Sequence, residues 1–357
     1  MIQIDGSILE GGGQILRVAI ALSSITQQPV SISNIRAKRN PPGMRRQHVV
    51  AIKSVAALTE SEVRGLHVGS KEVTFIPGKI RGGSFSFKIG TAGSTTLVLQ
   101  AFIPVTSYAP KKVSIEIHGG TNNQMAPPVE YFQTVFLPIL RKMNYTGNIS
   151  LLRRGFYPKG EGLVRGEFYP ARSLIPLNLT EAADVSKITG LSFSCKLPNH
   201  IPDRMAAEAS HVLNKTGFEN VEVNIQNLQD GDVGCSVNPG CGLILFAELT
   251  NGIRISADSL GEIGKSAERV GQEAAQNLIE QLKTKAPVDM HLGDQLIIWA
   301  GLADGQSRFN VSKLTPHTLT AIDVFQRILN VKFKIEGTLG HSAIITVNGV
   351  GLRNNYL

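Results

Sequence analysis

Apolar positions recur along this chain in two rhythms. A helical spacing runs through Ile15, Leu16, Ala19, Ile20 and Leu22, directly after the glycine run Gly11-Gly12-Gly13. Val49, Ile52, Val55 and Leu58 repeat it after Pro41-Pro42-Gly43. Leu97, Leu99, Phe102 and Ile103 do so again, followed by Val129, Phe132, Phe136, Ile139 and Leu140. Between these helices lie stretches of strict alternation. Phe85, Phe87 and Ile89, and then Val113, Ile115 and Ile117, each predict a strand with one buried side. A glycine-rich turn leading into a buried helix occurs at residues 11–22 and again at 90–103, with a related turn and apolar helix at 293–302. Such recurrence predicts one supersecondary unit used several times, without the fixed period of a solenoid.

From about residue 183 the texture changes. Strands are expected over 188–197, 221–225, 242–249 and 253–257, and helices over 204–214 and 266–282. The earlier style then returns. Phe309 and Val311 mark a short strand, and Leu319, Ile322, Val324, Phe325 and Ile328 give the following helix an apolar face. Val331, Phe333 and Ile335 alternate with Lys332, Lys334 and Glu336, and a turn through Gly337 and Gly340 completes a hairpin with 343–347. The expected fold is α+β. A large domain of repeated units, residues 1–182 plus 284–357, is interrupted by an inserted smaller α+β module, residues 183–283.

Composition narrows the class. Of 357 residues, 42% are hydrophobic and 18% charged, enough for a packed core. No apolar run approaches the ~18 residues of a membrane span. The start, Met1-Ile2-Gln3-Ile4-Asp5-Gly6, has neither a basic segment nor an apolar signal core, so a cytoplasmic protein is expected. Cys195, Cys235 and Cys241 are too few for a disulfide scaffold and form no C-x-x-C pair. The formal charge of +8 fits a polyanionic partner such as nucleic acid.

Several segments could carry chemistry. Residues 36–46 hold five cations, Arg36, Lys38, Arg39, Arg45 and Arg46, with no carboxylate between them. Loop arginines offer two-pronged donors to phosphate oxygens; otherwise this is a solvated basic loop. The glycines at 11–13 precede a helix, whose first N–H groups favour anions, or they make a tight turn. Glu10 beside them is placed to hold a divalent cation near a bound anion, with Arg17 on the other flank. Gly264-Lys265-Ser266 imitates part of a P-loop, but Ser259 stands where that motif needs glycine. No histidine or cysteine cluster has metal-ligand spacing. His317 falls at a strand-to-helix corner, where the positive helix end disfavours imidazolium and leaves a nucleophilic neutral ring. A capping or core role is its bland alternative. Asp294-Gln295, before an apolar helix, pairs an acceptor with an amide suited to ribose or a base edge, or else caps the helix.

Together these segments resemble the RNA 3′-terminal phosphate cyclase family. The likeness runs from Asp5-Gly6 to the helix after His317 and rests on several ordered pieces. They are Glu10-Gly11-Gly12-Gly13-Gln14-Ile15-Leu16-Arg17, then residues 36–48, Gly93-Ser94-Thr95-Thr96 through Gln100, and Gly119-Gly120-Thr121 with Ala126-Pro127-Pro128. Arg154-Gly155-Phe156-Tyr157-Pro158, Asp294-Gln295 and His317 follow. The resemblance implies repeated β-α-β-α-β-β units with one inserted α+β module. It also implies ATP-dependent conversion of an RNA 3′-terminal phosphate into a 2′,3′-cyclic phosphate, with ATP as cosubstrate and Mg²⁺ or Mn²⁺ as metal.

By the same matching, His317 is expected to be adenylated. Glu10 would bind the metal, and Arg17 and Arg39 the triphosphate. Gln47, Gln100, His291, Leu292, Gly293, Asp294 and Gln295 would line the nucleotide pocket, and Arg36 and Arg46 would meet the RNA end. Two positions depart from the family pattern: Glu161 interrupts a glycine run, and Asn122 stands where aspartate is common. The main rival is a non-catalytic cyclase-like protein of ribosome biogenesis, a type that lacks the histidine. A carboxyvinyl transferase of similar repeated fold is a second, and a plain nucleic-acid-binding module a third.

Overall fold

A computed structural model describes residues 1–181 and 183–357. The chain opens with β1 (Ile2–Asp5), α1 (Gly13–Thr26), β2 (Val30–Ser33), α2 (Arg46–Thr59), β3 (Glu62–Arg64) and β4 (Val73–Ile76). Their sheet has the order β1-β2-β4-β3, with β1 and β2 parallel and the other pairs antiparallel. The same plan follows in β5 (Gly83–Lys88), α3 (Thr95–Thr106) and β6 (Val113–Gly119). Next comes a helical stretch of α4 (Val129–Tyr131), a π-helical segment (Phe132–Phe136) and α5 (Leu137–Lys142), then β7 (Thr146–Arg153) and β8 (Gly162–Tyr169). Again the sheet order is first-second-fourth-third, β5-β6-β8-β7.

A third unit begins at β9 (Asn178–Leu179). Before it continues, the chain makes a separate block: β10 (Val185–Cys195), α6 (His200–Lys215), β11 (Val221–Leu228), β12 (Gly240–Leu249), β13 (Arg254–Leu260) and α7 (Ala267–Lys283). The block's sheet has a different order, β11-β10-β12-β13. Then α8 (Met290–Leu302), β14 (Gln306–Val311), α9 (Pro316–Ile328), β15 (Phe333–Gly337) and β16 (Ala343–Asn348) complete the third unit, with β9-β14-β16-β15 repeating the plan once more. The α+β class and the repeated unit therefore match the apolar pattern. The domain boundary expected at residue 182 lies outside the described residues.

One expectation needs correcting. The third apolar helix does not start after a turn at Gly293. Asp289 caps it four residues earlier, its Oδ1 accepting the N–H groups of His291 (3.0 Å) and Leu292 (2.7 Å). Gly293 lies inside the helix, where its missing side chain leaves room for Val311.

The first helix of each unit is central. In α1 every residue from Gln14 to Ile25 is buried, as expected of a helix covered on all sides. Units join helix to helix. The second helix of one packs on the first helix of the next: α2 on α3, then the α4–α5 stretch on α8 through Phe136 and Trp299 (6.3 Å between rings). Finally α9 packs on α1 and closes the set. This closure brings the starts of α1, α8 and α9 together. Among the described residues, no helix is long and apolar enough to cross a membrane.

Candidate active site

Glu10 lies in the loop that leads into α1, two residues before the N-cap Gly12, and its carboxylate folds over that glycine. A Cβ at Gly12 would fall on Glu10 Oε2, so the glycine makes the space that carboxylate occupies. Glu10 Oε1 accepts a hydrogen bond from Arg39 Nη2. Its Oε2 is buried, has no donor, and lies 3.9 Å from His317 Nδ1. His317 is the second residue of α9, behind the cap that Thr315 Oγ1 makes with Thr318 N (3.1 Å). Capping is thus Thr315's task, and the His317 side chain, 47% exposed, is open to solvent.

Arg17 lies one turn further along α1. It is buried, and that burial pulls its pKa down to about 10, opposed by Asp294 and Glu10. Gln14 Nε2 donates to Asp294 Oδ2 over 2.7 Å, joining α1 to α8. Burial raises the Asp294 pKa, while the Gln14 hydrogen bond and nearby His317, His291 and Arg17 favour its charged form. A narrow cavity runs between these groups and is lined by Arg17, Gln100, Asp294 and Gln295, with Phe136 and Trp299 behind. Gln295 donates its amide to His291 O (3.0 Å), and its buried Oε1 has no donor. That oxygen is an acceptor available to an exocyclic amine or a hydroxyl.

Helix geometry sorts the segment at 291–295. His291, Asp294 and Gln295 share one face, at i, i+3 and i+4. Leu292 and Gly293, also expected in the nucleotide pocket, have their own contacts in the interior. Leu292 is fully buried in the core and gives its N–H to Asp289, and Gly293 packs on Val311.

The basic loop holds its cations close together. Arg36, with φ of 52°, turns its guanidinium inward: Nη1 donates to Pro41 O (3.0 Å) and Gly43 O (2.8 Å). Burial lowers its pKa, and Arg45 and Arg39 lower it further. Such mutual repulsion is relieved by an anion. Arg46 is exposed at the start of α2, beside the bare Gly90. Gln47 Oε1 accepts the N–H of Ser94, the N-cap of α3 (3.1 Å).

His48 emerges from the structure, having been only part of a matching stretch in the sequence. Its Nδ1 accepts Arg45 N (2.9 Å), which leaves the other ring nitrogen, Nε2, for the proton. Nε2 faces Gly13, where any Cβ would strike it, with Arg17 alongside. Burial and the surrounding arginines Arg17, Arg36 and Arg45 hold its pKa down at about 3, so the ring is a neutral donor. The available signal was the spacing Arg45-x-x-His48 at a helix start.

The two departures have structural explanations. Glu161 takes the left-handed φ of 55° that a glycine would adopt freely, and its carbonyl accepts Arg153 Nε (2.7 Å). Asn122 Oδ1 accepts from Thr121 (2.8 Å) and Arg154 (3.3 Å). Among the described residues, no group of three His, Cys, Asp or Glu side chains could enclose a metal ion. Glu10 with its donorless oxygen fits the single carboxylate that a hydrated, phosphate-bound Mg²⁺ takes from a protein.

The model of the RNA 3′-terminal phosphate cyclase family matches residues 8–335. A protein of Ignicoccus hospitalis named RNA 3′-terminal phosphate cyclase is 44% identical over 354 residues, 98% of this chain and 99% of that one. Proteins of the same name from Methanopyrus kandleri (41% over 351 residues; 98% and 99% covered) and Pyrococcus furiosus (44% over 347; 97% and 98%) are similarly close. The chain belongs to the RNA 3′-terminal phosphate cyclase family.

Proposed function

We propose that this protein is an ATP-dependent RNA 3′-terminal phosphate cyclase whose nucleophile is His317. A terminal phosphomonoester has no good leaving group, so direct attack by the neighbouring 2′-OH is slow. Adenylation supplies one. A ring nitrogen of His317 forms a bond to the α-phosphorus of ATP as the bond to pyrophosphate breaks. An oxygen of the RNA 3′-phosphate then takes the adenylyl group from the ring. Last, the 2′-OH attacks the terminal phosphorus, AMP departs and the hydroxyl proton is lost, leaving the 2′,3′-cyclic ester.

The chain's residues divide this work. Arg17 and Arg39 bind the triphosphate, while Gln100, His291, Asp294 and Gln295 line the nucleotide pocket, with Gln47 at its α2 side. Arg36 and Arg46, with neutral His48, meet the RNA phosphate. Glu10 is the residue that would hold Mg²⁺ or Mn²⁺, which supplies charge neutralisation on the phosphates. Residues 183–283 are read as an inserted module, and the relatives' shared name supports the activity.

One observation carries the reading: a half-exposed imidazole at the start of α9 stands 3.9 Å from the donorless oxygen of Glu10, beside a cavity lined by Arg17 and Asp294. The test is incubation with α-labelled ATP and Mg²⁺. Wild-type protein should acquire acid-labile AMP, and His317→Ala should not, with an unchanged unfolding curve. Label on a well-folded His317→Ala variant would name another acceptor. No label on wild type would favour the non-catalytic alternative.

A further inference from the structure

A second, larger cleft lies where the second repeat faces the block β10–α7. It encloses about 1120 Å³, more than the ~300–1,000 Å³ of a typical small-ligand pocket. One wall is the turn at 122–126 with the Phe156-Tyr157-Pro158 loop. The other is formed by the loops at 238–241 and 260–266. Gln47 and Ser94 are also in its lining, and Gln47 is itself one of the residues assigned to the nucleotide pocket, so the cleft meets the candidate active site there.

The walls have a particular chemistry. Tyr157 is 83% exposed, Met125 82% and Ile263 fully, three large apolar side chains presented to solvent around one opening. Asn122 is 5% exposed, yet its Nδ2 has no acceptor, and the buried Oδ1 of Asn123 has no donor. A donor and an acceptor are thus left unpaired side by side in the lining. The cations there are already neutralised: Arg204 by Glu268 (2.6 Å) and Lys265 by Glu273. Glu262, also in the lining, is a carboxylate that accepts from Gln124 Nε2 (3.2 Å). Stacking faces and amide edges, with no unpaired Lys or Arg among the described lining residues, recognise bases rather than phosphates.

Resting on the cyclase reading, we infer that this cleft holds the unpaired nucleotides immediately upstream of the RNA's 3′-terminal phosphate. Their bases stack on Tyr157 and meet the amides of Asn122 and Asn123, while the basic loop takes the phosphates. The Phe156-Tyr157-Pro158 motif, otherwise without a task in the reaction, thereby has one.

Cross-linking of the full-length protein tests this. Short 3′-phosphorylated RNAs carrying 4-thiouridine at the second or third position from the end should attach to residues 122–126, 156–158 or 260–266. Attachment confined to 36–48 would overturn the inference. Cross-linking reports contact whether or not the protein turns over, so its failure is distinct from a failure to adenylate. Tyr157→Ala should weaken anisotropy-detected binding of a 3′-phosphorylated tetranucleotide by about tenfold. Tyr157→Phe should restore it, and the salt dependence should stay as in wild type, because no phosphate contact is lost. Undiminished binding by Tyr157→Ala, or a changed salt slope, would count against base stacking there.

Discussion

Gln14 on α1 donates to Asp294 on α8 over 2.7 Å, binding the first repeat to the third at the edge of the narrow cavity lined by Arg17 and Gln100. Asp294→Asn keeps an oxygen for Gln14 to donate to, so folding should persist. It removes the negative charge opposite buried Arg17, which stays protonated, so the initial rate of AMP labelling should fall by about tenfold in a variant that still folds. Wild-type labelling by a folded Asp294→Asn protein would show that this charge is not needed at the site.

Gly12→Ala isolates the position of Glu10. The new methyl would occupy the place of a carboxylate oxygen at the end of a flexible side chain, which can swing away cheaply. Stability should change by less than about 1 kcal/mol. Labelling should nevertheless drop as far as in Glu10→Ala, about a hundredfold, because the carboxylate leaves the side of His317. Normal labelling by Gly12→Ala would show that Glu10 need not lie where it does.

His48 makes stability depend on pH in a defined direction. Its folded pKa, about 3, is below the unfolded value of 6.5, so the unfolded chain takes up a proton that the folded one refuses. The stabilisation is complete above about pH 6.5 and is lost as pH falls toward 3, at up to about 1.4 kcal/mol per pH unit. Denaturant midpoints of wild type should decline between pH 7 and 5 more steeply than those of His48→Gln. Parallel curves would mean the ring is not buried as described.

Leu292 lies between two candidate pocket residues in sequence but belongs to the core. Leu292→Ala should cost about 2–5 kcal/mol in chemical unfolding. Labelling per folded molecule, measured well below the melting temperature, should stay within a few-fold of wild type. A collapse of labelling in a folded variant would return this residue to the nucleotide pocket.

Much of the architecture is legible in the sequence because every unit buries one helix and alternates along its strands. Ile15 to Leu22 and Leu97 to Ile103 announce equivalent helices for that reason. The third equivalent helix is harder to delimit because Gly293 reads as a turn, whereas the side chain of Asp289 starts the helix sooner. Local rules also could not reveal that Arg36 spends one edge of its guanidinium on its own loop carbonyls, or that Gln14 meets a residue 280 positions away. Such pairings come from the closure of α9 on α1, a tertiary event with no periodic trace. His48 stands out little in the sequence because a lone histidine in an amphipathic helix looks like any other core residue.

On the proposed mechanism, that closure also sets when the protein can work. Glu10 precedes the first helix of the set and His317 opens the last, so during synthesis neither meets the other until α9 has emerged and docked. A chain cut short anywhere before residue 317 lacks the imidazole proposed as nucleophile, however well its early repeats have folded.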